Sequence, residues 1–157
     1  METHIGIKES DRKEVAEQLT KLLADEFILY TKTRNAHWNV EGSNFYSMHV
    51  FFEGQFNQLD DIMDRIAERI RFIGHYATAT LKAFLEITHL TEAARNKNDS
   101  DGFVRELLAD HNSIIEFIRG NIEPFANKYN DLGSSDFITG IMETHEKMAW
   151  MLQSHVN

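Results

Sequence analysis

An all-α chain, with four long helices bundled and a long crossover between the second and third, is the architecture this sequence predicts. Three observations carry it: a single proline in 157 residues, no alternating runs rich in valine or isoleucine, and apolar residues at helical spacing in four separate stretches. The first helix is expected from about Asp11 to Trp38, capped by Ser10, with Val15, Leu19, Leu22, Leu23, Phe27 and Tyr30 along one stripe. Gly42 breaks the chain, Ser43 is placed to cap the second helix, and Gly74 ends it. That helix carries Phe45, Met48, Phe52, Phe56, Leu59, Met63, Ile66 and Ile70 at the same periodicity. Thr78 or Thr80 opens a short helix through about Thr88, with Leu81, Phe84 and Leu85, followed by a polar loop from Arg95 to Asp99. Ser100 then caps a third long helix containing Val104, Leu107, Leu108, Ile114, Ile115 and Ile118, which Pro124 should bend or end. A turn at Asn130–Ser134 leads to the last helix, about Ser135 to His155. The roughly 25-residue connection from Gly74 to Ser100 is long enough to traverse a bundle.

The length fits one domain over residues 1–157 with a real core, residues 1–9 forming a short tail. With no cysteine, disulfides and thiolate metal sites are excluded. No apolar stretch approaches the roughly 20 residues of a membrane span, and no positively charged start precedes an apolar run, so a soluble, cytoplasmic protein is expected. A formal charge of −9 argues against binding nucleic acid through a broadly basic surface, and the end at Gln153–Asn157 carries no lysine-rich extension. DNA binding is therefore expected to be weak.

The most informative stretch lies between residues 37 and 74. It holds His37, Trp38, His49, Asp64 and Glu68, two imidazoles and two carboxylates that make a mixed nitrogen and oxygen ligand set. On one helix His49 and Asp64 are 15 residues apart, which at 1.5 Å per residue is about 22 Å. A transition metal needs ligand atoms at about 2 Å, so His49 cannot share an ion with Asp64 or Glu68 of its own helix. Asp64 and Glu68, at i and i+4, can act together. Pairing two copies of the helix antiparallel about a two-fold axis brings each histidine end to the partner's acidic end and builds two equivalent sites. Imidazole and carboxylate ligands suit Fe(II), and equally Mn(II) and Zn(II).

Other groups have plainer readings. Glu68 followed by Arg69 also reads as a solvated, salt-bridged face. Glu86-x-x-His89 occurs once, whereas an intrachain di-iron bundle needs two such motifs, so it is taken as coincidence. His111, His145 and His155 are read as structural or exposed. Trp38 and Trp150 are read as core or interface residues; Trp38, beside His37, is also a candidate electron donor near a metal.

The pattern His37-Trp38-Asn39-Val40-x-Gly42-x-x-Phe45-x-x-Met48-His49-x-x-Phe52-Glu53, continuing to Asp64-x-Ile66-Ala67-Glu68-Arg69-Ile70, closely resembles the Dps family, the miniferritins of bacteria and archaea. The resemblance extends over essentially the whole chain. It implies a ferritin-like four-helix bundle and a hollow dodecamer with ferroxidase centres at two-fold interfaces. It also implies oxidation of Fe(II), preferentially by hydrogen peroxide, with storage of the ferric product against oxidative damage. By resemblance His37 and His49 of one subunit, with Asp64 and Glu68 of its partner, are the catalytic ligands, two irons are held per centre, and Glu53 assists the second. Asp131 and Asp136 fall where the family places pore acids. Two rival readings remain: a nucleoid protein that chiefly condenses DNA, and a metal-free helical scaffold.

Overall fold

The computed structural model describes residues 3–92 and 95–156. Met1 and Glu2 of the expected tail, Ala93 and Ala94 of the crossover, and Asn157 lie outside the described residues. The chain forms α1 (Glu9–Asn39), α2 (Phe45–Phe72), a short α3 (Leu81–Ile87), α4 (Ser100–Glu123), a π-helical turn (Pro124–Lys128) and α5 (Leu132–Gln153). α1 packs along α2 and α4, α4 along α5, and α3 rests on α1, where Phe84 stacks on Phe27 at 4.7 Å between ring centroids. No described helix is long and apolar enough to cross a membrane.

Each expected helix is present, but most begin one to three residues from where they were expected. α1 starts at Glu9 with Lys8 preceding it, and no side chain caps it; Ser10 lies inside the helix, while Glu9 and Asp11 face the positive end of its dipole. Asn44 rather than Ser43 precedes α2, and its carboxamide donates to Ser100 Oγ at 2.9 Å. Thr80 does cap α3, accepting from Ala83 N at 3.2 Å. α4 is capped by Asp99, which accepts from Gly102 N at 2.7 Å, so Ser100 is already helical. At the start of α4 the carboxylate wins over the neighbouring serine because it accepts more strongly from the bare first-turn N–H groups.

Gly74 ends α2 as expected. Its φ of +92° is the left-handed region, and a Cβ there would meet Arg12 Nη1 at 2.5 Å and Thr3 Oγ1 at 2.6 Å. Pro124 has no N–H to continue the α ladder, and the chain widens into the π turn, closed by Tyr129 N to Pro124 O at 3.0 Å.

The crossover traverses the bundle. At one end Arg12 of α1 donates to Ile73 O at 2.9 Å, beside the end of α2. At the other, Glu41 N donates to Asn98 O at 2.9 Å, beside the start of α2. α4 therefore runs parallel to α2, and α5 returns antiparallel along α4. Val15, Leu19, Leu29, Phe52, Leu59, Ile66, Leu107, Ile114, Ile118 and Ile138 are all at most 1% exposed and line the interior. Each such side chain contributes about 1.5–3 kcal/mol on burial. Leu81 and Leu85 of α3 do not join them, being 66% and 52% exposed, and Phe45 is 45% exposed.

Candidate metal centre

His37 stands in the last turn of α1 and His49 in the second turn of α2, and the reversal between them stacks their rings with centroids 3.8 Å apart. The two bond reciprocally: His37 Nδ1 lies 2.8 Å from His49 O, and His49 Nδ1 lies 2.8 Å from His37 O. A carbonyl oxygen has no proton to give, so both Nδ1 atoms must be the donors. Two consequences follow. The His37 carbonyl, one of those a helix end leaves without an intrahelical donor, is satisfied. Each neutral ring is also held in the tautomer that leaves Nε2 with a bare lone pair, the arrangement a metal-binding imidazole requires. Phe56 meets the His37 ring edge-on at 5.1 Å and Phe45 lies 5.2 Å from His49, so both rings are fixed by packing.

Asp64 and Glu68 lie together further along α2, one turn apart and exposed, and among the described residues neither has an ion pair or a side-chain hydrogen bond. Asp64 borders an open groove between α2 and α3 with Asp60, Phe27, Ala77, Leu81 and Phe84. The alternative reading of Glu68 as paired with Arg69 does not describe the observed contacts. Arg69 turns away, donating to Ser134 Oγ at 3.0 Å and to Asp131 Oδ1 at 3.2 Å. Glu53, one turn after His49, is exposed and equally unpartnered among the described residues. Because α2 is continuous from Phe45 to Phe72, the separation of about 22 Å between the imidazole pair and the acidic pair stands. Among the described residues of one chain, no group of three or more histidine or acidic side chains converges on a common point for a metal. One chain thus carries an imidazole pair and an acidic pair, far apart along α2.

The remaining candidates fall as follows. Trp38 is 63% exposed and Trp150 66%, so neither is a core residue of the single chain. Asp131 is 1% exposed and caps α5: Oδ1 accepts from Ser134 N at 2.8 Å and Oδ2 from Ser134 Oγ at 2.5 Å. Of the two acids expected at a pore, Asp136 is the exposed one. Glu86 and His89 do not act together, since Glu86 faces Lys82 at 3.8 Å and His89 Nδ1 lies 2.6 Å from Asp25 Oδ2.

A buried polar chain went unrecognised in the sequence. Glu26 of α1, His145 of α5 and His111 of α4 are each fully buried, with His145 Nε2 2.7 Å from Glu26 Oε1 and His145 Nδ1 2.9 Å from His111 Nδ1. Burial, and then the neighbouring His145, hold the His111 proton affinity well below the usual imidazole range. The signal was available: His111 lies between Leu107 and Ile114, and His145 between Ile141 and Met148, at i−4 and i+3 on buried stripes.

A ferritin-like domain model matches residues 16–157. The chain is 37% identical over 145 residues, 92% of its length and 98% of the relative's, to DNA protection during starvation protein 2 of Bacillus anthracis. It is 36% identical over 153 residues, 98% of its length and 86% of the relative's, to a low temperature-induced protein of Nostoc sp. strain PCC 7120. Among solved structures, Dps from Staphylococcus aureus matches with a TM-score of 0.87 at 33% identity, over 92% of this chain and 96% of that one. Dps from Vibrio cholerae O1, described as a member of a broad superfamily of ferritin-like diiron-carboxylate proteins, matches with a TM-score of 0.93 at 25% identity, over 100% and 98%. With its crossover bundle and its relatives over nearly full length, the chain belongs to the ferritin-like family and, within it, to the Dps proteins.

Proposed function

We propose that the protein is a miniferritin, binding Fe(II) at sites built between subunits, oxidising it and storing the ferric product inside a hollow dodecamer. The observation that carries this reading is the reciprocal histidine pair. Two imidazoles locked with Nε2 bare, on a chain whose unpartnered Asp64 and Glu68 lie too far away to help, form half a ligand set that a second copy completes. His37 and His49 from one subunit and Asp64 and Glu68 from its neighbour are the ligands, and Glu53 assists a second ion. Carboxylates offset the charge of Fe(II) and stabilise Fe(III) more strongly, which favours oxidation. Hydrogen peroxide takes one electron from each of two Fe(II) ions and, with two protons, leaves as two waters, so no hydroxyl radical is released. Trp38, adjoining His37, supplies an electron when only one iron is present. Mn(II) and Zn(II) compete for the same ligands. Asp136 lies on the route by which iron enters.

His37→Ala and Asp64→Ala should each slow peroxide-dependent iron oxidation about a hundredfold while the shell stays assembled, read by stopped-flow absorbance and light scattering. Oxidation at the unaltered rate in both variants would contradict the assignment. The names of the starvation-protection relatives favour a second reading, in which the protein shields DNA by condensing it. The formal charge of −9 opposes this at physiological salt, and a gel shift there decides it.

A further inference from the structure

Arg34 is a half-buried cation without an anion. Its guanidinium carbon lies 4.3 Å from the ring centroid of Phe56, 5.0 Å from that of Trp38 and 5.7 Å from that of Tyr30. Among the described residues it makes no ion pair and no side-chain hydrogen bond. The other arginines differ. Arg12, Arg65, Arg69, Arg95 and Arg119 are paired with acids, Arg71 donates to His75 O, and Arg105 lies on an exposed face. A planar guanidinium held against three rings has lost much of its rotamer freedom and part of its hydration, yet its donors remain unused. Such a group binds a carboxylate at low entropic cost.

Its place gives it a partner. Phe56 touches both the Arg34 guanidinium and the His37 ring, so the cation sits beside the imidazole pair. The complementary charge is on α2, where Asp60, Asp64 and Glu68 are exposed and unpartnered among the described residues. The antiparallel pairing of two copies that brings Asp64 and Glu68 to the histidines brings the same acidic stretch to Arg34. We propose that Arg34 is a positioning residue of the shared site: its guanidinium takes a carboxylate from residues 60–68 of a second copy and holds that helix in register against His37 and His49. The proposal rests on the intersubunit reading of the site, and the dyad makes it twice per dimer.

The test is a set of double-mutant cycles read on assembly, with metal-free, chelator-treated protein. Arg34→Gln is combined in turn with Asp60→Asn, Asp64→Asn and Glu68→Gln, and subunit dissociation on dilution is followed by mass photometry at low and at molar salt. Arg34→Gln alone should raise the dissociation constant about tenfold at low salt, and the difference should shrink at molar salt. With at least one acid variant the double mutant should dissociate no more readily than the worse single mutant. Unchanged dissociation of Arg34→Gln, or effects that add with all three acids, would overturn the pairing. Should Arg34→Gln lose helicity by circular dichroism, Arg34→Lys is taken through the same cycles, where coupling is expected to persist. Because no iron is present, this result is independent of the iron chemistry. Coupling without iron oxidation would leave the pairing and remove the ferroxidase reading, and the reverse pattern would do the opposite.

Discussion

Two histidine pairs bridge helices in this molecule, and they spend their ring nitrogens in opposite ways. Between α1 and α2, His37 and His49 give both Nδ1 protons to backbone carbonyls and keep both Nε2 lone pairs unengaged among the described residues. Between α4 and α5, His111 and His145 meet Nδ1 to Nδ1, and His145 turns its Nε2 into Glu26. One pair lies at the end of α1 and the start of α2, beside the exposed Tyr46 and Trp38; the other is fully buried. Residue type is the same in both, and each pair joins two helices. What separates the two pairs is the fate of the second nitrogen, which a metal-binding imidazole must keep free.

The largest expected effect lies in the core. Removing Glu26 leaves the His145 Nε2–H in apolar surroundings, so Glu26→Ala should cost about 3–5 kcal/mol, measured by urea unfolding at fixed subunit concentration. His49→Ala, which breaks one bond at a part-buried site, should cost about 1 kcal/mol in the same assay. Equal losses from the two variants would erase the distinction between the pairs.

A smaller effect separates them by pH. His111 is held well below the ordinary imidazole range by burial and by His145, and Glu26 is the acid bonded to that chain. Below about pH 6.5 the unfolded chain therefore binds a proton that the folded chain refuses. Stability should fall as pH drops from there toward the folded value, by at most about 1.4 kcal/mol per pH unit. His111→Gln should flatten that slope, whereas an identical slope between pH 6.5 and 5 would contradict it.

The helices were legible in the sequence because apolar spacing is a local property, and Gly74 and Pro124 act on the backbone directly. The caps were less so: Ser100 adjoins Asp99, and the choice between neighbouring oxygens is settled by geometry that spacing does not encode. The start of α5 moved from Ser135 to Leu132 because Asp131 closes the turn from inside, bonded to Ser134 and Arg69. The distance between His49 and Asp64 was readable because it depends only on helical rise. The burial of His111 and His145 was readable from their stripes, but their link to Glu26 was not, since the three come from three helices and meet only in the folded bundle. Arg34 was missed for a related reason: an arginine three residues before a histidine is ordinary until Phe56 of another helix comes to lie beneath both.

The central claim is that one ion is held by imidazoles from one subunit and carboxylates from another. Anomalous scattering at the iron and zinc edges from metal-soaked crystals tests it directly. The expected result is a peak about 2 Å from Nε2 of His37 and His49 and, across a two-fold axis, from the carboxylates of Asp64 and Glu68 of the neighbouring copy. A peak bound by ligands of a single chain, or none at these four residues in soaked crystals, would contradict it.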